Sequence, residues 1–228
     1  MSDSAGIWAV IPVKELRNAK HRLAAALTPD QRRGLALAMV EDVLDALAAV
    51  QELAGIAVVS IDPDVARIAV ARGARLIATD ATGGHTAAVA GAARLLAGEG
   101  RDGMLTMPGD VPLATSGEVV RLLQAHGTSP AFTICPAHDG RGSNAVLCSP
   151  PDILALSFGN DSFQPHLAAA RARGIVPKVL GLTGIGLDID NPEDLAAFMR
   201  VPSRTRTRRF LEQIGIGGSG ESRWTAAS

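Results

Sequence analysis

Lysine is rare in this 228-residue chain: Lys14, Lys20 and Lys178 are the only three among 22 basic residues. Two of them fall in one short segment with Arg17 and Arg22, directly after the apolar run Ile7–Val13. Lysine acts on phosphate as a point charge and arginine can fork onto two oxygens, so this loop is a natural anion site; the plainer alternative is a solvated basic loop. Three aspartates form a second set. Asp110 closes Met107-Pro108-Gly109-Asp110, and Asp188 and Asp190 flank Ile189. Residues i and i+2 of an extended segment share a face, so Asp188 and Asp190 can aim two carboxylates at one point. Hard divalent cations such as Mg²⁺ take oxygen ligands, commonly one or two carboxylates plus substrate phosphates. A metal site at Asp110, Asp188 and Asp190 is therefore expected, against the alternative that each is a cap or turn residue. Asp139–Asn144 is a glycine-interrupted polar loop able to turn backbone N–H groups to an anion. Phe158–Phe163 is similar, and Ser162 is placed to cap the helix that carries His166.

Several other chemistries find no footing. The five histidines are dispersed and show no zinc spacing. There is no G-x-S-x-G elbow and no G-x-G-x-x-G or G-x-x-x-x-G-K-[ST] fingerprint. Cys135 and Cys148 lie in apolar runs, read as core residues, and fit a reducing compartment.

The elements that must position these residues alternate. Strands are expected at Ile7–Val13, Ile56–Ser60, Arg75–Ala78, Met104–Met107, Ala131–Pro136, Asn144–Cys148, Val176–Leu180 and Leu187–Asp190. Helices are expected after Thr28-Pro29, Asp62-Pro63, Thr115 or Ser116 and Asn191-Pro192, where cap and proline signals stand, at about Thr86–Ala97 after the turn Gly83-Gly84-His85, and at Pro165–Arg173. This order predicts a single α/β domain over residues 1–200, with a doubly wound, mostly parallel sheet and helices on both faces. The two strands around Ala137–Ser143 would be an antiparallel excursion. Ligands of such sheets bind at the carboxyl ends of strands, which directs attention to the loops starting at Lys14, Asp80, Pro108, Asp139 and Asp190. Residues 201–228, rich in Arg, Gly and Ser, are expected to form a flexible basic tail, frayed or only partly docked.

Composition narrows the class. Hydrophobic residues are 47% and charged residues 20%, which excludes a mainly disordered chain. No apolar stretch approaches the roughly 20 residues of a membrane span. The N-terminus lacks a basic n-region and an apolar h-region, so a cytoplasmic protein is expected. The net charge is −1, and aromatics are only 3%, with no basic stripe outside the tail. Neither a nucleic-acid nor a membrane partner is expected.

Taken in order, these motifs resemble a known family. Ile11-Pro12-Val13-Lys14 with Ala19-Lys20-His21-Arg22-Leu23 is similar to the opening of the CofC/FbiD guanylyltransferases of coenzyme F-420 biosynthesis. Pro108-Gly109-Asp110-Val111-Pro112, Gly142-Ser143-Asn144, Phe158-Gly159 with Ser162 and His166, and Leu187-Asp188-Ile189-Asp190 follow in the family's order, over residues 7–199. The resemblance implies a nucleotidyltransferase fold and a reaction of GTP with 2-phospho-L-lactate, phosphoenolpyruvate or 3-phospho-D-glycerate, releasing pyrophosphate. It implies Mg²⁺, with Mn²⁺ as a substitute, on Asp110, Asp188 and Asp190. It implies Lys14, Lys20 and Arg22 as catalytic cations facing the triphosphate. The phosphorylated acid would lie on Ser143, Gly159 and Ser162, and the nucleotide on Pro12, Lys14, Gly84, Thr86, Pro108 and Gly109. A homodimer is compatible with it. Two departures stand out. Related members read Gly-Leu-Asn-Ala-Ala where this chain has Gly84-His85-Thr86-Ala87-Ala88, near the expected base pocket, and Phe-Gly-x-Gly-Ser reads Phe158-Gly159-Asn160-Asp161-Ser162. The acid therefore stays open, as does the strictness for GTP. The competing readings are another nucleotidyltransferase, of the molybdopterin or sugar-phosphate kind, a glycosyltransferase suggested by Asp188-x-Asp190 alone, and a GTP-binding regulator without turnover. The first usually carries a glycine-rich opening, which Pro12–Arg17 lacks.

Overall fold

A computed structural model describes residues 5–77 and 84–217. The expected turn residue Gly83, strand end Ala78 and loop start Asp80 lie outside the described residues.

Seven strands form one sheet in the order β3-β2-β1-β4-β6-β5-β7. They are β1 (Ile7–Pro12), β2 (Gly55–Val59), β3 (Arg75–Ile77), β4 (Gly103–Thr106), β5 (Ala131–Pro136), β6 (Ser143–Ser149) and β7 (Lys178–Val179). β3, β2, β1 and β4 pair in parallel, as do β5 and β7, and β6 runs against both its neighbours. The expected doubly wound sheet with one antiparallel excursion is therefore present. Alternation along the strands divides the core in two. Ala9, Ile11, Val58, Leu105, Ala145 and Leu147 face one cluster. Val10, Ala57, Val59, Met104, Val146 and Cys148 face the other. Period-two side-chain placement makes each strand serve both faces.

The first face is covered by α1 (Pro29–Ala48), α2 (Pro63–Ala71), α4 (Ser116–Ala125), α7 (Pro192–Arg200) and α8 (Arg206–Gln213), and the second by α3 (Gly84–Gly98) and α5 (Phe163–Ala172). A one-turn helix, α6 (Thr183–Gly186), precedes the Asp188 segment. α1 starts where its cap signals said: Thr28 accepts the Gln31 N–H, Gln31 returns a bond to the Thr28 N–H, and Pro29 fills the first turn. Such a box contributes about 1 kcal/mol. Leu35, Met39, Val43 and Leu47 form its core stripe and are fully buried. Each such side chain contributes about 1.5–3 kcal/mol.

Two expectations are corrected. Residues 187–190 are not a strand. One backbone bond, Ile189 N–H to the Asp110 carbonyl at 3.1 Å, holds this extended segment beside the β4 loop before the Asn191 cap starts α7. The alternation read from the sequence survives, because Ile189 is fully buried between the partly exposed Asp188 and Asp190. The domain also does not end at residue 200. Asp42 of α1 accepts the Arg206 and Thr207 N–H groups at 2.7 and 2.9 Å, capping α8 from another helix. Arg206 pairs with Asp45 at 3.0 Å, Leu211 is fully buried, and the Phe210 ring lies over Gly34, where a Cβ would come within 2.6 Å of it. The segment docks because acidic residues of α1 meet Arg206 and a gap left by Gly34 takes the Phe210 ring.

Candidate active site

The loops after β1, β4 and the Asp188 segment meet at the carboxyl edge of the sheet. The basic loop folds as two short 3₁₀ turns, Leu16–Asn18 and His21–Leu23, and is anchored by the fully buried Leu23. Between the turns Lys20 takes a left-handed backbone, φ 52° and ψ 44°. That conformation is costly for a side chain with a Cβ, and such outliers cluster at functional sites. Its effect is to send the Lys20 ammonium inward, to Asp110 Oδ2 at 2.6 Å and Asp190 Oδ1 at 2.7 Å. Burial alone would lower the Lys20 pKa; the two carboxylates outweigh it and push it up, so the ammonium stays charged. Burial alone would raise the Asp190 pKa, but Lys20 holds it below the ordinary carboxylate range.

Asp188 differs from its neighbours. Asn144 Nδ2 donates to its Oδ1 at 3.0 Å and also to the Ile185 and Gly186 carbonyls. Burial, with the charges of Asp110 and Asp190 adding to it, nevertheless pushes its pKa up. Asn144 was not singled out from the sequence as a positioning group. The signal was there: a buried amide at the mouth of an apolar strand. Its orientation comes from a β-bulge, since Cys135 pairs with Ala145 but Pro136 pairs with Ser143, leaving Asn144 as the extra residue. Bulges re-aim side chains. Here Asn144 turns to the Asp188 side and Ser143 to the opposite face, toward α5.

The donor set fits a hard cation in part. Three carboxylates share one field, and Asp110 Oδ1 is buried without a hydrogen-bond partner. An orphaned buried carboxylate oxygen is a costly arrangement that a cation would relieve. The described residues nevertheless contain no group of three or more acidic, His or Cys side chains arranged to hold a metal. Lys20 instead places its ammonium between two of the three carboxylates. Lys20 therefore lies on the carboxylates, whereas the expectation put it on a triphosphate. Arg22 lies at the rim, 4.0 Å from Asp190 and largely exposed.

A cleft of about 340 Å³ opens beside this cluster, lined by Pro12, Lys14, Val59, Gly84 and His85 among others. Gly84 has φ +76°, and the space a Cβ would take lies 3.9 Å from the Lys14 ammonium. His85 lies within electrostatic reach of both Asp110 and Lys14; burial lowers its pKa first, so it is held neutral. Three expected nucleotide residues are absent from the lining of this cleft. Thr86 Oγ1 instead accepts the Phe158 N–H at 3.0 Å, tying α3 to the loop before α5. Gly109 packs against the core, where a Cβ would come within 3.0 Å of Val40. Pro108 precedes it in the same turn. The expected acid residues do gather. Ser143 and Ser162 are joined through their hydroxyls at 3.1 Å, the Gly159 carbonyl accepts the Ser162 N–H, and a Cβ at Gly159 would meet open space.

One residue outside the expected set fixes the basic loop. Asp62, 1% exposed, accepts the Leu16 N–H at 3.0 Å, caps α2 through the Asp64 and Val65 N–H groups, and takes both Arg33 amino groups. Burial alone would raise its pKa; Arg33 and the three amides bring it below the ordinary value. Because the folded pKa is depressed, this contribution is present above the unfolded value near 3.9 and is lost as pH falls through the folded one. Asp62→Ala is expected to cost about 3 kcal/mol at neutral pH. Urea melts of both proteins across the acid range check it. The gap should close as pH falls below about 4, and a neutral-pH cost under about 1 kcal/mol would remove Asp62 as the anchor.

Comparison with solved structures shows the fold. The chain superposes on a nucleotide-diphospho-sugar transferase candidate from Desulfovibrio desulfuricans G20 with a TM-score of 0.70 at 19% identity, covering 92% of this chain and 95% of that one. A nucleotidyl transferase from Methanothermobacter thermautotrophicus gives 0.61 at 14% identity, covering 92% and 100%. The fold is that of nucleotidyltransferases.

Sequence comparison goes further. The family model described as "Guanylyl transferase CofC like" matches residues 7–225. The chain is 41% identical to the phosphoenolpyruvate guanylyltransferase of Rubrobacter xylanophilus over 190 residues, 83% of this chain and 92% of that protein. It is 32% identical to the 2-phospho-L-lactate guanylyltransferase of Methanothermobacter thermautotrophicus over 206 residues, 90% of each. This chain belongs to the CofC-like guanylyl transferase family.

Proposed function

We propose that this protein transfers GMP from GTP to the phosphate of a small phosphorylated carboxylic acid and releases pyrophosphate, in coenzyme F-420 biosynthesis. Phosphoenolpyruvate is the leading acid, because the more similar relatives carry that activity in their names at 37–41% identity. The observation that carries the reading is the carboxylate cluster around Lys20 adjoining a cleft that holds Lys14.

The chemistry asks little covalent work of the protein. A phosphate oxygen of the acid forms a bond to the α-phosphorus of GTP while the bond from that phosphorus to the bridging oxygen breaks, and pyrophosphate leaves with the electron pair. The nucleophile is already ionised at neutral pH, so no side chain has to remove a proton. Ser143, Gly159 and Ser162 would hold the acid, and Pro12, Lys14 and Gly84 the nucleotide, with Thr86, Pro108 and Gly109 shaping the walls. Mg²⁺, or Mn²⁺ in its place, would be held by Asp110, Asp188 and Asp190 and would neutralise charge on the two reacting phosphates. Lys14 would carry the triphosphate charge. Lys20, once released by its carboxylates, would turn with Arg22 to the leaving pyrophosphate.

The test is pyrophosphate release from GTP with phosphoenolpyruvate, 2-phospho-L-lactate and 3-phospho-D-glycerate offered separately, with ATP and CTP as controls. Release with GTP and phosphoenolpyruvate is expected. Release with no acid would overturn the reading, and equal release from CTP would move it to another nucleotidyltransferase class.

A further inference from the structure

Behind the acid-side hydroxyls lies a hydrogen-bond relay whose direction is fixed by one backbone amide. Ser143, Ser162 and His166 are all buried, His166 to 2% exposure. The Ser157 N–H donates to His166 Nε2 at 3.1 Å. An amide N–H can only donate, so Nε2 must accept and carries no proton. A neutral imidazole with a bare Nε2 has its proton on Nδ1. Nδ1 stands 3.0 Å from Ser143 Oγ, which therefore accepts. Ser162 donates its hydroxyl to the same Ser143 oxygen at 3.1 Å. A serine oxygen has two lone pairs and one proton. Both lone pairs of Ser143 are occupied, and among the described residues its proton has no acceptor. Burial pushes the His166 pKa down to about 4, which keeps the ring neutral at physiological pH.

The relay sits at the working edge of the sheet. Thr106 of β4 pairs with Val146, so Ser143, three residues earlier on the antiparallel β6, lies past the carboxyl end of β4, where Asp110 follows. The bulge that turns Asn144 to Asp188 turns Ser143 to His166. The Phe163 N–H donates to the Arg141 carbonyl at 2.9 Å and locks the two acid-side loops together. Phe158 packs edge-on to the His166 ring, with centroids 5.1 Å apart, and holds its plane.

We infer that His166 is a positioning residue that commits Ser143 to act as a hydrogen-bond donor, so that this subsite selects a fully ionised oxygen of the acid and rejects a group that must itself donate. The inference rests on the reading that Ser143 faces the phosphorylated acid. A serine free to rotate would accept from a hydroxyl or a protonated phosphate as readily as it donates to an anion. With both lone pairs filled it can only donate, and hydrogen bonds to charged acceptors are the stronger kind.

The first test needs no turnover. Nitrogen-15 spectra of the wild-type imidazoles at neutral pH, with His166 assigned by its loss in a variant, are expected to show His166 as the neutral Nδ1–H tautomer. An Nε2–H tautomer or an imidazolium would overturn the inference even if the enzyme turns over normally. The second test separates positioning from packing. His166→Asn places an amide donor where Nδ1 stood, whereas His166→Gln keeps an acceptor for the Ser157 N–H and loses the donor to Ser143. His166→Gln is expected to raise KM for the acid about ten- to thirtyfold, with KM for GTP unchanged, and His166→Asn to stay within about threefold of wild type. Equal losses in the two variants, or a loss shared by both substrates, would make His166 a packing residue only. If wild type releases no pyrophosphate with any acid, the functional reading fails while the spectra still decide the relay's direction.

Discussion

Asp188→Asn is expected to reduce kcat/KM for pyrophosphate release by about a thousandfold, the equivalent of about 4 kcal/mol of barrier, while leaving the protein as stable as wild type or more so. The two halves of this expectation have one cause. Burial, and then the charges of Asp110 and Asp190, raise the Asp188 pKa against the pull of the Asn144 amide. A carboxyl whose folded pKa is raised contributes stability only below its unfolded value, and loses it as pH rises through the folded one. At neutral pH an ionised Asp188 is thus a net cost to folding, which the proposed role in holding a cation would account for. The amide of the variant is nearly isosteric and still offers an oxygen to Asn144 Nδ2, now 3.0 Å from Oδ1. It removes the cost together with the negative charge that a divalent cation needs. Thermal melts without metal should therefore show an unchanged or higher midpoint, and the coupled assay should show almost no turnover at saturating GTP. Turnover within tenfold of wild type would take Asp188 out of the metal set. A lower midpoint would mean that its charge supports the fold and that the like-charge account of the cluster is wrong.

The contrast between Asp188 and α8 shows what sequence could and could not yield. Asp188 and Asp190 were found because alternation is local: Ile189 has to be buried, so its two neighbours share the other face. The starts of α1, α2 and α7 were found for the same reason, since Thr28, Asp62 and Asn191 cap within three residues of themselves. α8 is strongly polar, and its docking depends on Asp42, Asp45 and Gly34, more than 160 residues earlier in the chain. No window of sequence holds that information. Lys20 is the same lesson inside the site. Its charge and its place after β1 were plain, and both agree with a phosphate ligand. That it faces Asp110 and Asp190 instead depends on a left-handed turn and on partners 90 and 170 residues away. The bulge at Asn144 was equally hidden, because an unbroken period of two would have sent that amide toward α5 and Ser143 away from His166.

Lys20→Met should lower turnover by about a hundredfold or more and also destabilise the metal-free protein by about 2 kcal/mol, a loss that millimolar Mg²⁺ or Mn²⁺ should reverse more fully than it raises the wild-type midpoint. The ammonium is the countercharge of the site, 9% exposed and within 2.7 Å of two carboxylates. Removing one partner of a buried pair usually costs about 3–5 kcal/mol, because the remaining charge is left uncompensated. The smaller figure is expected here because the Asp190 side chain is 45% exposed and water screens it. Asp110 is the more costly half, since its other oxygen is already without a partner. In wild type a divalent cation held by these oxygens, as proposed, would have to compete with Lys20, so its binding would stabilise the fold only by what exceeds the ion pairs it breaks. In the variant nothing has to be displaced, and the same cation should bind more tightly. Melting curves of both proteins over a metal titration, alongside pyrophosphate release, separate the two roles. A midpoint that is unchanged without metal would show that the carboxylates do not need Lys20. A destabilised variant whose midpoint metal does not raise would show that Lys20 neutralises these aspartates for the fold alone, and would overturn their assignment as the proposed metal site.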